Sequence, residues 1–190
     1  MIAVLLGAPG VGKGTQAKLA AERNGWTHLS TGDLLRAEVA RGTELGRRAD
    51  AIMRSGELVP DAVMVEIVAA RLNALGAGET LLLDGFPRSL PQARALDQRC
   101  PGCPVGVALY FTAPDAVLTE RLLARGRADD SREVIARRLA VYRETTEPLV
   151  AHYRGRGLLR EIPANRAIEE IQKDLLRTLR EVRADPSSVS

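Results

Sequence analysis

The residues best suited to chemistry stand near the front of the chain. Gly7-Ala8-Pro9-Gly10-Val11-Gly12-Lys13-Gly14-Thr15 follows an apolar run, Ile2–Leu6, and opens a helical pattern, Lys13–Arg23. The spacing G-x-x-x-x-G-K is that of a phosphate-binding loop. Glycines let the backbone close around phosphate oxygens with its N–H groups inward. The following helix adds positive potential at its N-terminus. Lys13 is placed to reach β- and γ-phosphates. Gly14 stands where a Ser or Thr usually follows the lysine, and Thr15 comes one place later with a hydroxyl for the β-phosphate and Mg²⁺. Gly10, Val11, Gly12, Lys13, Gly14 and Thr15 are therefore the candidate contacts to a nucleoside triphosphate. The strand–loop–helix context sets this string apart from a mere tight turn.

Composition narrows the field. The 190 residues carry a net charge of +3, and 45% are hydrophobic, which suits one folded domain. Aromatics are only 3%, too few for a base-stacking platform, so nucleic acid is not an expected partner. Of 27 basic residues 24 are arginine, leaving Lys13, Lys18 and Lys173. A lysine inside a phosphate-loop pattern stands out against that background, because a point charge is what the loop requires. No apolar stretch reaches membrane-spanning length, and no secretory leader is evident, so a cytoplasmic chain is expected. Cys100-Pro101-Gly102-Cys103 reads as small thiols in a turn rather than a redox pair or a zinc half-site, since His28 and His152 are the only histidines.

The elements that must position the loop alternate. Ile2–Leu6, Thr27–Ser30, Leu81–Leu83, Val105–Phe111 and Leu158–Ile162 read as strands. Lys13–Arg23, Gly32–Ala40, Glu44–Arg54, Asp61–Leu75, Leu90–Arg99, Pro114–Arg125 and Ser131–Tyr153 read as helices. A last one carries the stripe Ile168, Ile171, Leu175, Leu179, Val182, expected to pack in the core. Apolar strands alternating with helices predict an α/β fold, a P-loop NTPase-type parallel sheet of about five strands covered by helices. Ligands bind such sheets at the carboxyl ends of the strands. Residues 30–59 break the rhythm with two successive helices and read as an insertion over the site.

Further motifs follow in order: Gly12-Lys13-Gly14-Thr15-Gln16-Ala17, Ser30-Thr31-Gly32-Asp33-Leu34-Leu35-Arg36, Leu83-Asp84-Gly85-Phe86-Pro87-Arg88 and Gly126-Arg127-Ala128-Asp129-Asp130. Together they strongly resemble the adenylate kinases in their short-lid form, over Met1 to about Val182. The resemblance implies reversible phosphoryl transfer, ATP + AMP = 2 ADP, with Mg²⁺ and no structural zinc, in a monomer. It implies that residues 30–59 form the AMP-binding subdomain. Thr31, Arg36, Glu57, Leu58, Val59, Gly85, Phe86, Pro87, Arg88 and Gln92 then match AMP contacts, with Gln92 reading adenine. Arg121, Arg125, Arg127 and Arg138 match the arginines around the triphosphate and the transferring group, with Lys13 and Arg88 completing the catalytic set. Arg127 and Arg138 also match AMP contacts. Asp84, at a strand end, is either a carboxylate near Mg²⁺ or a cap for the next turn, and the neighbouring phosphate loop favours the metal. Arg132, Arg137 and Arg143 read as surface charge.

The chain departs from the family pattern twice. Residues 126–132 leave room only for a loop where longer members carry a large lid. Closure is therefore expected to rest on the AMP subdomain and the arginines. Arg166, in Pro163-Ala164-Asn165-Arg166, stands in the place of a glycine over the ATP adenine. Among rivals, a UMP/CMP kinase runs the same reaction, but Thr31, Ser89 and Gln92 favour AMP. A nucleotide-gated switch of the GTPase kind needs an Asn-Lys-x-Asp element, which is absent from the sequence. A nucleic-acid-dependent ATPase gives the 30–59 insertion no purpose.

Overall fold

The computed structural model describes residues 1–73, 76, 78–99, 104–127 and 130–184. Cys100, Cys103 and the terminal Asp185–Ser190 lie outside them.

Five strands form one parallel sheet: β1 (Ile2–Leu6), β2 (Thr27–Ser30), β3 (Leu81–Asp84), β4 (Val105–Thr112) and β5 (Leu159–Pro163). Their order is β2-β3-β1-β4-β5, every neighbouring pair parallel. After β1 the chain goes to one side for β2 and β3, then to the other for β4 and β5. The carboxyl end of β1 is thus the point where strand order reverses, where a ligand crevice opens in such sheets. Register brings Leu5 beside Asp84, and Ser30 beside Asp84 on the other side. Three sequence segments meet at one edge of the sheet.

Helices cover both faces: α1 (Lys13–Asn24), α2 (Thr31–Ala40), α3 (Glu44–Ser55), α4 (Asp61–Leu72), α5 (Leu90–Arg99), α6 (Asp115–Arg125), α7 (Arg132–Val141), α8 (Pro148–Gly155) and α9 (Ile168–Ala184). Alternate residues of β1 face opposite layers. Val4 and Leu6 join Leu83, Met64, Val68, Leu96, Leu149 and Tyr153 on one side. Ala3 and Leu5 join Leu82, Leu109, Ala17, Leu118, Ile135 and Leu175 on the other. Burying such side chains contributes about 1.5–3 kcal/mol each, so β1 is clamped between two cores and the loop after it has a fixed base.

Local signals explain most boundaries. Ser30, Thr43 and Ser131 cap α2, α3 and α7, their hydroxyls accepting from the backbone N–H of Asp33, Gly46 and Val134. The predicted helix Asp61–Leu75 ends at Leu72. The single helix expected over Ser131–Tyr153 is three pieces: α7, a π-helical turn at Tyr142–Thr146, and α8, which starts with Pro148. Pro148 lacks an N–H, so a regular ladder cannot run through it. In α9 the stripe Ile171, Leu175, Leu179, Val182 is buried as expected, but Ile168 is 48% exposed. It is the first residue of that helix and faces the cavity described next.

Candidate functional site

A cavity of about 810 Å³ lies at the carboxyl ends of β1 and β3. The phosphate loop, α2, the segment after α3, the Arg88–Gln92 turn, α6 and α7 line it. Every candidate site residue named from the sequence borders it except Phe86, which is 1% exposed and belongs to the core cluster that contains Leu83, Met64 and Leu96.

The loop is shaped by its glycines. Gly7, Gly10 and Gly12 all have positive φ, and Gly12 is the left-handed cap of α1. At Gly10 no other residue fits: φ is +85°, and a Cβ would stand 2.7 Å from the Leu118 carbonyl oxygen and 2.8 Å from Leu122 Cγ. The loop is therefore pressed onto α6, the helix carrying Arg121 and Arg125. Lys13 folds back over the loop, its ammonium donating to the carbonyls of Gly7 (2.6 Å) and Ala8 (3.0 Å). Burial lowers its pKa to about 8; Asp84 opposes the shift, while Arg88 and Arg125 add to it. A nearby anion favours the charged form and so opposes the effect of burial.

Asp84 closes β3 beneath the loop, its carboxylate 3.8 Å from His28 Nε2. Burial alone would raise its pKa, but His28, Lys13 and Arg88 outweigh that and hold it below the usual carboxylate range. An ionised, buried carboxylate beside a phosphate loop suits Mg²⁺, which is commonly held by one or two carboxylates, water and phosphate oxygens. Thr15, in the phosphate loop, borders the same cavity as Asp84.

Gly85, at φ +81°, follows Asp84; a Cβ there would meet Thr31 Oγ1 at 2.5 Å. That close approach lets Thr31 donate to the Asp84 carbonyl at 3.4 Å. The Arg88 guanidinium donates from Nε to the Gly85 carbonyl at 2.8 Å. Burial lowers its pKa, opposed by Asp84 and assisted by Arg138 and Arg36. Thr146, in the π-helical turn, donates to the Arg88 carbonyl at 2.8 Å. Gln92 is 2% exposed and its amide is engaged at both ends, by Arg88 N–H (2.7 Å) and by the Asp61 carboxylate (2.6 Å). Arg36 pairs with Asp33, one turn earlier on α2.

The remaining arginines are organised by Asp130. Its side chain is 1% exposed and accepts from Arg125 Nε (2.9 Å) and Nη2 (2.7 Å), Arg138 Nη1 (3.0 Å) and the Arg127 N–H (3.2 Å). Burial would raise the pKa of Asp130; the Arg125 hydrogen bonds and charge, with help from Arg127 and Arg138, bring it below the usual range. Arg121 crosses to the Ala164 carbonyl at 3.0 Å and touches the Val11 carbonyl at 3.5 Å. Arg166 borders the cavity but donates to the Pro163 carbonyl at 3.1 Å and pairs with Asp174. Arg137 donates to Glu57 at 2.6 Å and Arg143 pairs with Asp115, so these two are paired as well as exposed.

Sequence reasoning passed over His28, Asp61, Asp130 and Thr146 as site residues. Asp130 stood in a quoted motif, five residues after Arg125, and its acid–arginine spacing was the available signal. Nothing local marks Thr146, which meets Arg88 from the end of the π-helical turn.

A family model described as adenylate kinase matches residues 5–158. The chain belongs to the adenylate kinase family. A chain named adenylate kinase from Synechococcus sp. (strain CC9902) is 49% identical over 178 residues, covering 93% of this chain and 97% of its own. One of the same name from Parasynechococcus marenigrum (strain WH8102) is 51% identical with the same coverage. Another, from Parvibaculum lavamentivorans (strain DS-1 / DSM 13023 / NCIMB 13966), is 44% identical over 177 residues, 88% of this chain and 86% of its own. The adenylate kinase match spans the phosphate loop, Asp84–Arg88, and the arginines of α6 and α7.

Proposed function

We propose that this chain transfers the γ-phosphate of ATP to AMP and runs the reverse reaction on two ADP. The observation that carries the reading is one cavity bordered by the phosphate loop, by Thr31, Arg36 and Arg88, and by Arg125, Arg127 and Arg138. Two phosphate-bearing substrates have room to meet there.

The roles follow from charge and position. The loop from Gly10 to Thr15 binds the triphosphate of ATP through backbone N–H groups, and Lys13 leaves the Gly7 and Ala8 carbonyls for phosphate oxygens. Arg36 and Arg88 hold the AMP phosphate, and Thr31, Glu57, Leu58, Val59, Gly85, Pro87 and Gln92 surround the nucleoside. Phe86 supports them from the core rather than touching AMP. An AMP phosphate oxygen attacks the γ-phosphorus directly, so no side chain need act as nucleophile. Phosphoryl transfer asks mainly for positioning and for neutralisation of oxygen charge. Arg121, Arg125, Arg127 and Arg138 supply the neutralisation through forked N–H groups that match phosphate oxygens. Mg²⁺, held by Asp84 through water and by Thr15, would supply the divalent charge that accompanies ATP.

Residues 30–59 serve as the AMP-binding insertion and the expected lid loop 126–132 as the short lid, of which 128 and 129 lie outside the described residues and Arg132 already opens α7. Arg166, already engaged by Pro163 and Asp174, lines the ATP side without reaching for phosphate. Among the described residues no helix is long and apolar enough to cross a membrane. The chain acts on free ATP, AMP and ADP as a cytoplasmic monomer, without nucleic acid or membrane. This rests on the family and on a site completed within one chain. Incubating the protein with Mg-ATP and, separately, AMP, CMP, UMP and GMP tests the reading. Conversion of AMP far ahead of the others is expected; CMP or UMP ahead would move the chain to the pyrimidine branch of the family.

A further inference from the structure

Asp61 is the first residue of α4, two residues beyond Val59. Its carboxylate accepts from Ser89 Oγ at 2.7 Å and from Gln92 Nε2 at 2.6 Å. Gln92 Oε1 in turn accepts from the Arg88 N–H at 2.7 Å. A carboxylate accepts and a backbone N–H donates, whereas a primary amide does one at each end. These two neighbours therefore dictate which way the Gln92 amide points. Turned over, it would set N–H₂ against N–H and oxygen against carboxylate. Each end still has one unused position, a second N–H and a second lone pair. Gln92 borders the cavity, and its amide keeps an acceptor and a donor in fixed order.

We propose that Asp61 is a specificity-determining positioning residue: by locking the Gln92 amide, it makes the acceptor site choose a 6-amino purine over a 6-oxo purine of the same shape. The inference rests on the reading of Gln92 as the base-facing group of the AMP site. A 6-amino group donates to the held Oε1. A 6-oxo group sets oxygen against oxygen, or requires an amide turned against both Asp61 and Arg88. A site built to satisfy one hydrogen-bonding pattern rejects the opposite pattern strongly, because its buried polar groups are left unpaired. Cytosine shares the amino pattern, so this lock separates amino from oxo bases and leaves ring size to the rest of the pocket.

The test compares kcat/KM for AMP and for IMP, with Mg-ATP as donor, in the native protein, Asp61→Asn and Asp61→Ser. IMP differs from AMP only in the 6-substituent and the ring N–H that accompanies it. The native protein is expected to prefer AMP by about a hundredfold or more. Asp61→Asn has an amide that can either donate or accept, so one of the two locks is released and the Arg88 N–H remains. The preference should then fall by roughly tenfold, mostly through faster use of IMP, with the KM for ATP within about twofold of native. Asp61→Ser, which also lacks an obligate acceptor, should shift the ratio in the same direction. An unchanged AMP/IMP ratio, or equal losses with both substrates, would make Asp61 merely structural and overturn the proposal. Equal use of AMP and IMP by the native protein would overturn the reading of Gln92 itself, and the lock with it.

Discussion

Asp130 is the anchor of three cavity arginines, and its removal has consequences that can be worked out. Asp130→Ala deletes three guanidinium hydrogen bonds, two from Arg125 and one from Arg138, and one backbone bond from Arg127. Hydrogen bonds to charged groups contribute about 1.5–3 kcal/mol each. Arg125 and Arg138 are 32% and 18% exposed, so water takes up part of what is lost. A net destabilisation of about 2–4 kcal/mol follows, or roughly 5–15 °C in Tm for a chain of this size. Arg125 loses the two bonds that hold its guanidinium and Arg138 loses one, and misplacement of charged groups near a reacting phosphate costs on the order of 10²-fold in kcat. The pH dependence carries a sign. The folded pKa of Asp130 lies below its ordinary 3.8, so the stabilisation is present above that value and is lost as pH falls through the folded pKa. The stability gap between native and variant should stay level from about pH 8 to 5 and close only in more acidic solution. Thermal unfolding at several pH values and initial rates at saturating ATP and AMP measure these effects. A variant within about 0.5 kcal/mol of native, with kcat within threefold, would refute the reasoning.

Lys13→Met should abolish transfer yet raise the stability of the nucleotide-free protein by about 1–2 kcal/mol at pH 7. The fall of the Lys13 pKa to about 8 is a folding penalty, reduced here because the residue is only half-buried. That penalty is complete below pH 8 and gone above the ordinary 10.5, so denaturant titrations should show the variant's advantage disappearing as pH rises. Gly10→Ala should cost about 2 kcal/mol or more in unfolding free energy and raise the KM for ATP, since its Cβ would stand 2.7 Å from the Leu118 carbonyl at a φ of +85°. With so short a lid loop, exclusion of water should depend on AMP being in place. ATP hydrolysis without AMP is expected to be slow beside AMP-dependent transfer, and hydrolysis as fast as transfer would sink that account.

The legible parts of the molecule were those whose signals are local. The phosphate loop announces itself because glycine spacing, lysine and the preceding apolar strand are contiguous, and β1, β3 and β4 because fully buried strands are uninterrupted apolar runs. β2 and β5 lie at the sheet edges, where exposure on the outer side breaks the pattern; the β5 span moved by one residue, to Leu159–Pro163. The break between α7 and α8 was hidden because apolar spacing continues through Tyr142–Thr146, although Pro148 was a visible warning. At the site, residues of striking type, such as Lys13, Asp84, Arg88 and Arg125, could be picked out from their motifs. Holders that lie far away in sequence could not. Asp61 meets Gln92 across 31 positions, and Thr146 meets Arg88 across 58, and no sequence period links residues so far apart. Ile168 shows the converse error: it continues the apolar stripe of α9 in sequence but stands one turn outside the packed layer.

The central claim is direct transfer between two nucleotides in one cavity, and product stoichiometry followed by ³¹P NMR tests it most directly. With Mg-ATP and AMP the account predicts two ADP for each ATP consumed, without inorganic phosphate in step with it, and only slow ATP loss when AMP is left out. Release of inorganic phosphate in step with ATP loss, with AMP unchanged, would contradict it.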